Sequence, residues 1–154
     1  MAERRRFELS LVTPEGPAFE GEAEMVIVPG AAGEIGVLAR HAPLVATLKA
    51  GSTRVYDSID DEQVREFATG PGFFKVELDR AIALVDDAVD AREIDDARAQ
   101  RQLEAAQAEL ERLDAGDSTA DRWQLEQRVK HAENQLAVAT GGDAGDFRPR
   151  TSAH

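Results

Sequence analysis

Glu34 and His41 stand seven residues apart in the stretch Gly33-Glu34-Ile35-Gly36-Val37-Leu38-Ala39-Arg40-His41-Ala42-Pro43. A carboxylate and an imidazole could share acid and base roles, and no other pairing in the chain looks catalytic. Catalysis would need a third group, and the sequence does not supply one. Ser10, Ser52 and Ser58 lie outside any nucleophile-elbow context, and metal-ligand spacing such as His-x-x-x-His is absent. Without cysteine, thiolate nucleophiles, thiolate metal sites and disulfides are excluded. A loop histidine before Ala-Pro therefore reads as a structural or contact residue. Gly30, Gly33 and Gly36 have the look of a phosphate loop, but no lysine and no helix follow them, so a strand-connecting turn is expected.

Asp95 and Arg98, in Ile94-Asp95-Asp96-Ala97-Arg98-Ala99, are the second candidate pair. Their ordinary reading is a helix N-cap followed by a solvated arginine in the first turn, and the sharper one is an anion site. Arg122, Arg128 and Lys130 form a basic streak further on, either a solvated face or a surface for an acidic partner. Trp123, the sole tryptophan, is expected to pack on the preceding helix, with an exposed partner anchor as the alternative.

Two kinds of element must hold these residues. From Phe7 to about Asp87 the chain runs in short alternating segments broken by Gly and Pro, the pattern of an all-β sandwich of about ten strands. Phe7, Leu9 and Leu11 share one face. Met25 to Val28 are apolar on both faces, as in a strand buried twice. Phe74, Val76 and Leu78 alternate with Lys75, Glu77 and Asp79, and Asp79-Arg80 is expected to make the next hairpin corner. After Asp90 the breakers vanish and helix formers dominate. Ala99, Leu103, Ala106, Leu110 and Leu113 make one seam of a helix about 27 Å long, with Asp95 as N-cap. Gly116 ends it, Ser118-x-x-Asp121 has the form of a capping box, and Leu125, Val129, Ala132, Leu136 and Ala139 make a second seam. The result is a C-terminal antiparallel two-helix hairpin. Its seam is rich in alanine, so it is expected to be held weakly and to re-dock at small cost. The expected division is 1–90 sandwich, 91–140 hairpin, and a disordered Gly-rich tail over 141–154.

Composition narrows the function classes. Net charge is −12 and the isoelectric point near 4.6, which disfavours phosphate backbones and hence nucleic acid. Residues 1–90 carry 9 basic and 17 acidic side chains and residues 91–154 carry 9 and 13, so the acidity is general and argues mainly for solubility. No apolar run approaches the roughly 20 residues of a membrane-spanning helix. The opening Met-Ala-Glu-Arg-Arg-Arg leads directly into a strand pattern, so no cleaved leader is expected.

From Phe7 to Ala139 the sequence resembles the epsilon subunit of bacterial F-type ATP synthase. The resemblance is carried by Thr13-Pro14, Gly33-Glu34-x-Gly36-x-Leu38, His41-Ala42-Pro43, Leu48-x-x-Gly51 and Gly70-x-Gly72-Phe73, in that order, followed by the hairpin. It implies a ten-stranded sandwich and two helices at the foot of a rotating central stalk. The sandwich would clamp the gamma subunit and rest on the ring of c subunits, with Glu34 facing the ring and His41 near gamma. It further implies a noncatalytic part, peripheral to the cytoplasmic face of the bacterial plasma membrane. The hairpin would either fold on the sandwich or extend toward the alpha and beta subunits and inhibit ATP hydrolysis, where Arg122, Arg128 and Lys130 would meet acidic surface. Some members bind ATP on the folded hairpin through Ile/Leu-Asp-x-x-Arg-Ala, which Ile94 to Ala99 match. The two second-helix arginines of that site are His131 and Gln135 here, so no cofactor is expected and ATP would bind weakly at most. Ala39 stands where the family commonly has proline. A freestanding nucleotide-binding module built on the hairpin is the competing reading.

Overall fold

The computed structural model describes residues 5–139; the expected tail over 141–154 lies outside them. Ten strands come first: β1 (Phe7–Thr13), β2 (Gly16–Ala23), β3 (Met25–Gly30), β4 (Gly33–Leu38), β5 (His41–Leu48), β6 (Gly51–Ser58), β7 (Gln63–Thr69), β8 (Gly72–Leu78), β9 (Arg80–Val85) and β10 (Ala88–Asp90). A 3-10 turn (Ala91–Glu93) leads to helices α1 (Asp96–Asp114) and α2 (Arg122–Ala139). The strand order is β10-β7-β6-β3-β5-β8-β9-β1-β2, with β4 on the other edge of β3. β3 pairs with β6 over Met25–Ile27 but touches β5 only at Gly30–Leu48. The sheet thus folds over at that single link into two layers. All pairings are antiparallel except β1 with β9.

Alternation puts Phe7, Leu9 and Leu11 of β1 in the core with Phe74 and Val76 of β8. β3 is buried on both faces from Val26 to Gly30, as its uninterrupted apolar run requires. Leu78 departs from the expected alternation. It is 69% exposed with φ of +48°, because Glu77 pairs with Arg80 and Leu78-Asp79 is the corner, one residue earlier than expected.

Asp95 caps α1, its carboxylate accepting from the Arg98 amide at 3.0 Å. The helix ends in a Schellman arrangement at Gly116 (φ +80°), the Gly116 amide donating to Leu113 and the Asp117 amide to Arg112. The capping box does not form at Ser118. Asp121 caps α2 instead, accepting from the Trp123 and Gln124 amides, while the Ser118 hydroxyl donates to Glu109 and accepts from the Ala120 amide. α1 packs chiefly on α2, and α2 packs in turn on β6, β7 and the 3-10 turn. The second helix is therefore a middle layer, buried at Leu125 and Ala132 and again at Asn134 and Val138.

Candidate functional site

Glu34 and His41 do not form a pair. They flank β4, Glu34 one residue inside its start and His41 beyond the turn at its far end, a strand path of about 13 Å from Glu34 to Leu38. Glu34 is bonded across the layer to Arg54 of β6 at 2.5 Å, with the Glu and Arg side chains only 14% and 6% exposed. The His41 Nδ1–H donates to its neighbour Ala42 carbonyl at 2.7 Å. Beside it, Arg40 takes φ of +63° and its amide donates to Asp79, fixing the turn against the β8–β9 corner.

Next to this corner lies an apolar surface that the sequence did not single out. Phe73 on β8 pairs with Thr47 on β5 and Leu84 on β9, and Lys75 pairs with Val45. Their side chains point away from the core because Phe74 and Val76 point into it. Val45, Phe73 and Leu84 are 71%, 62% and 49% exposed, with Leu38 and Leu78 exposed at the corner end. Exposed aliphatic and aromatic side chains gathered on one sheet face are the signature of a protein-docking surface. The Phe73-Phe74 doublet was the available signal, since two adjacent strand residues point to opposite faces of the sheet.

The hairpin residues are distributed differently from the expected streak. Arg122 pairs with Asp114, and more loosely with Glu126 at 3.9 Å, so it closes the α1–α2 loop. Arg128 and Lys130 line a groove of about 850 Å³ between the hairpin and one end of the sandwich, with Glu109 of α1 and Asp86 and Asp87 of the β9–β10 link. Asp95 and Arg98 lie outside it: Asp95 is committed to its cap and Arg98 is exposed. Trp123 is 66% exposed near the start of α2, so it is not buried against α1.

Two contacts that the sequence did not suggest tie the hairpin to the sandwich. The buried Asn134 amide donates to the Gly51 carbonyl at 3.1 Å and the Thr69 carbonyl at 3.2 Å, bridging β6 and β7. His131 Nε2 lies 3.0 Å from an Asp87 carboxylate oxygen and 2.9 Å from the Gln135 amide. The bond to Asp87 raises the His131 pKa above its ordinary value, against an opposing effect of burial. The Asp86 carboxyl is raised too, chiefly by burial; it lies over Gly70, where any side chain would collide with it. These acidic groups face His131, and their charge opposes an anion at that position.

A sequence model described as "ATP synthase, Delta/Epsilon chain, beta-sandwich domain" matches residues 6–91. The chain is similar to the ATP synthase epsilon chain of Rubrobacter xylanophilus, 36% identical across 89% of this chain and 94% of that one. The epsilon chain of Rhodospirillum rubrum is 37% identical across 92% of this chain and 100% of the relative. Among solved structures, a chain of the Euglena gracilis mitochondrial ATP synthase, in an assembly of OSCP, F1 and c-ring, superimposes with a TM-score of 0.69 at 22% identity, covering 88% of this chain and 83% of that one. A chain from the central stalk and c-ring of the Tetrahymena thermophila enzyme gives 0.51 at 14% identity, covering 91% and 98%. Sandwich, hairpin and sequence agree, and the chain belongs to the ATP synthase epsilon chain family.

Proposed function

We propose that this chain is a noncatalytic rotor subunit of a proton-translocating ATP synthase at the cytoplasmic face of a bacterial plasma membrane. Its sandwich grips the gamma subunit and the c ring, and its hairpin is a movable inhibitor of ATP hydrolysis at the alpha and beta subunits. The observation that carries the docking half is the exposed Val45, Phe73 and Leu84 surface on a rigid sheet next to the His41 turn. A coupling element has to carry torque without slipping, which suits a close-packed two-layer body with a protein-facing side. Glu34, fixed by Arg54, and His41, fixed by its turn, act as contact residues at the two ends of β4. The hairpin half is supported by the short set of polar ties from α2 to the sandwich, the Asn134 bonds and the His131–Asp87 contact, which a second surface could replace.

The test is affinity purification of the tagged chain from gently solubilised membranes with quantitative mass spectrometry. One copy per gamma, with three each of alpha and beta, is expected. Phe73→Glu should lose gamma while the free chain stays folded. Recovery of the wild-type chain alone overturns the rotor assignment. For the hairpin, cysteines at Ala50 and Gln127, which line the same groove, joined by a short bis-maleimide, hold the folded form. Hydrolysis by that complex should rise, and unchanged hydrolysis refutes inhibition.

A further inference from the structure

His131 has two mutually exclusive partners for one nitrogen. As a neutral ring with a lone pair on Nε2, it accepts from the Gln135 amide, one helical turn along α2 at 2.9 Å. As a cation, it is drawn to Asp87, whose buried carboxylate oxygen lies 3.0 Å from Nε2, outside the helix and on the sandwich, and accepts no hydrogen bond while the ring is bonded to Gln135. The acidic side of this contact is held rigidly. The Gly70 amide donates to the Asp87 carbonyl at 2.9 Å and the Asp86 amide to the Pro71 carbonyl at 3.1 Å, anchoring the Asp86-Asp87 link to the turn before β8. The imidazole is therefore the part that switches.

We propose that His131 is a proton-operated latch: protonated, it straps the hairpin to Asp87 of the sandwich, and deprotonated, it accepts from Gln135 and frees that strap.

The groups around it set the sign. Asp86 and Asp87 face His131 from the sandwich, Glu109 lines the groove from α1, and Arg128 and Lys130 line it from α2 itself. The carboxylates favour the imidazolium and the two α2 cations oppose it, and the bond to Asp87 outweighs burial in raising its pKa. A histidine whose pKa is higher docked than undocked stabilises docking fully below the undocked value. That stabilisation is lost as pH rises through the docked value. Asp86, also raised, acts in the same direction at lower pH, since burial penalises its charged form. The latch thus closes on the acid side and opens on the alkaline side. Asn134 carries no ionisable group and holds at either pH, so the latch biases docking without being its only tie.

The inference rests on the hairpin being a movable element, but its test uses the isolated full-length chain, so a failed latch and a failed inhibitor are told apart. The His131 titration is followed by NMR, and amide hydrogen exchange, corrected for intrinsic rates, is read at about pH 5.5 and about pH 9. A half-exposed charged pair predicts that α2 amides lose about threefold to fivefold protection relative to sandwich amides at the higher pH. Asp87→Asn should lower the His131 pKa, and His131→Gln should abolish the pH dependence. His131→Lys, charged throughout, should keep the low-pH protection at both. A His131 titration unmoved by Asp87→Asn, or the same pH dependence in His131→Gln, overturns the latch.

Discussion

Replacing Asn134 by alanine tests whether the hairpin and the sandwich are separable units. The side chain makes two hydrogen bonds, at 3.1 and 3.2 Å, to carbonyls of Gly51 and Thr69. Each bond contributes about 0.5–1.5 kcal/mol net, so their loss costs about 2 kcal/mol, a shift of about thirtyfold in docking. The Thr69 hydroxyl reaches the Gly51 carbonyl at 3.4 Å, so that acceptor is not stranded and the upper end of the range does not apply. Alanine is a better helix former than asparagine by up to about 0.7 kcal/mol, but it gains this in the docked and free hairpin alike, and the term cancels. Amide exchange in the full chain is the assay. Amides of α2 should lose about thirtyfold protection while Val28 and Phe74, in the sandwich core, keep theirs. A change below about twofold in α2 would show that Asn134 is no clamp. Equal losses in the sandwich would refute the separability on which the argument depends.

Three further outcomes are expected. Arg54→Met removes the guanidinium 2.5 Å from the largely buried Glu34 carboxylate and should cost about 3 kcal/mol in urea unfolding, most of it recovered by adding Glu34→Leu; no recovery would refute the ion pair as the cause. Asp90 accepts from Arg92 and Arg65, and these bonds hold its carboxyl well below the usual carboxylate range. Its stabilisation is therefore complete above the unfolded value near 3.8 and fades as pH falls below it, so the wild type should lose more stability between about pH 5 and about pH 2.5 than Asp90→Asn. Leu78→Asn removes a poorly suited residue from positive φ without uncovering core, and should raise the melting temperature of the free chain by stabilising it about 1 kcal/mol.

The sandwich was legible because its strands need one apolar face, and alternation at Phe7, Leu9 and Leu11 records that need in the order of residues. The same logic misled at Leu78, where the chain leaves the strand and turn geometry takes over from alternation. Ser118 and Asp121 both carry cap-forming side chains, and only the path between the helices decides which one meets α2's free amides. The hairpin seam could be read because α1 and α2 face each other with the same period. The tie to the sandwich could not. Asn134 and His131 look like solvated polar residues until a third layer lies over them, and Asp87 and Thr69, far away in sequence, carry no mark of what they meet. Glu34 and His41 were found by type, yet nearness in sequence suggested a partnership that a strand between them prevents.

The 3-10 turn after β10 is tied through Asp90, which bonds the Arg92 amide and guanidinium while Arg65 of β7 holds the same carboxylate. Beyond Ile94 the chain passes into α1, which relies on α2 for most of its packing. That makes Asp90 to Asp95 a fulcrum and α1 a lever, whose 19 residues give an arm of about 28 Å. A tilt of a tenth of a radian at the fulcrum moves the far loop by about 3 Å, as far as a hydrogen bond is long. Short polar ties near the pivot end of such an arm govern the position of a tip carrying Trp123 and Arg122, which is how a few bonds can set the reach of the whole element.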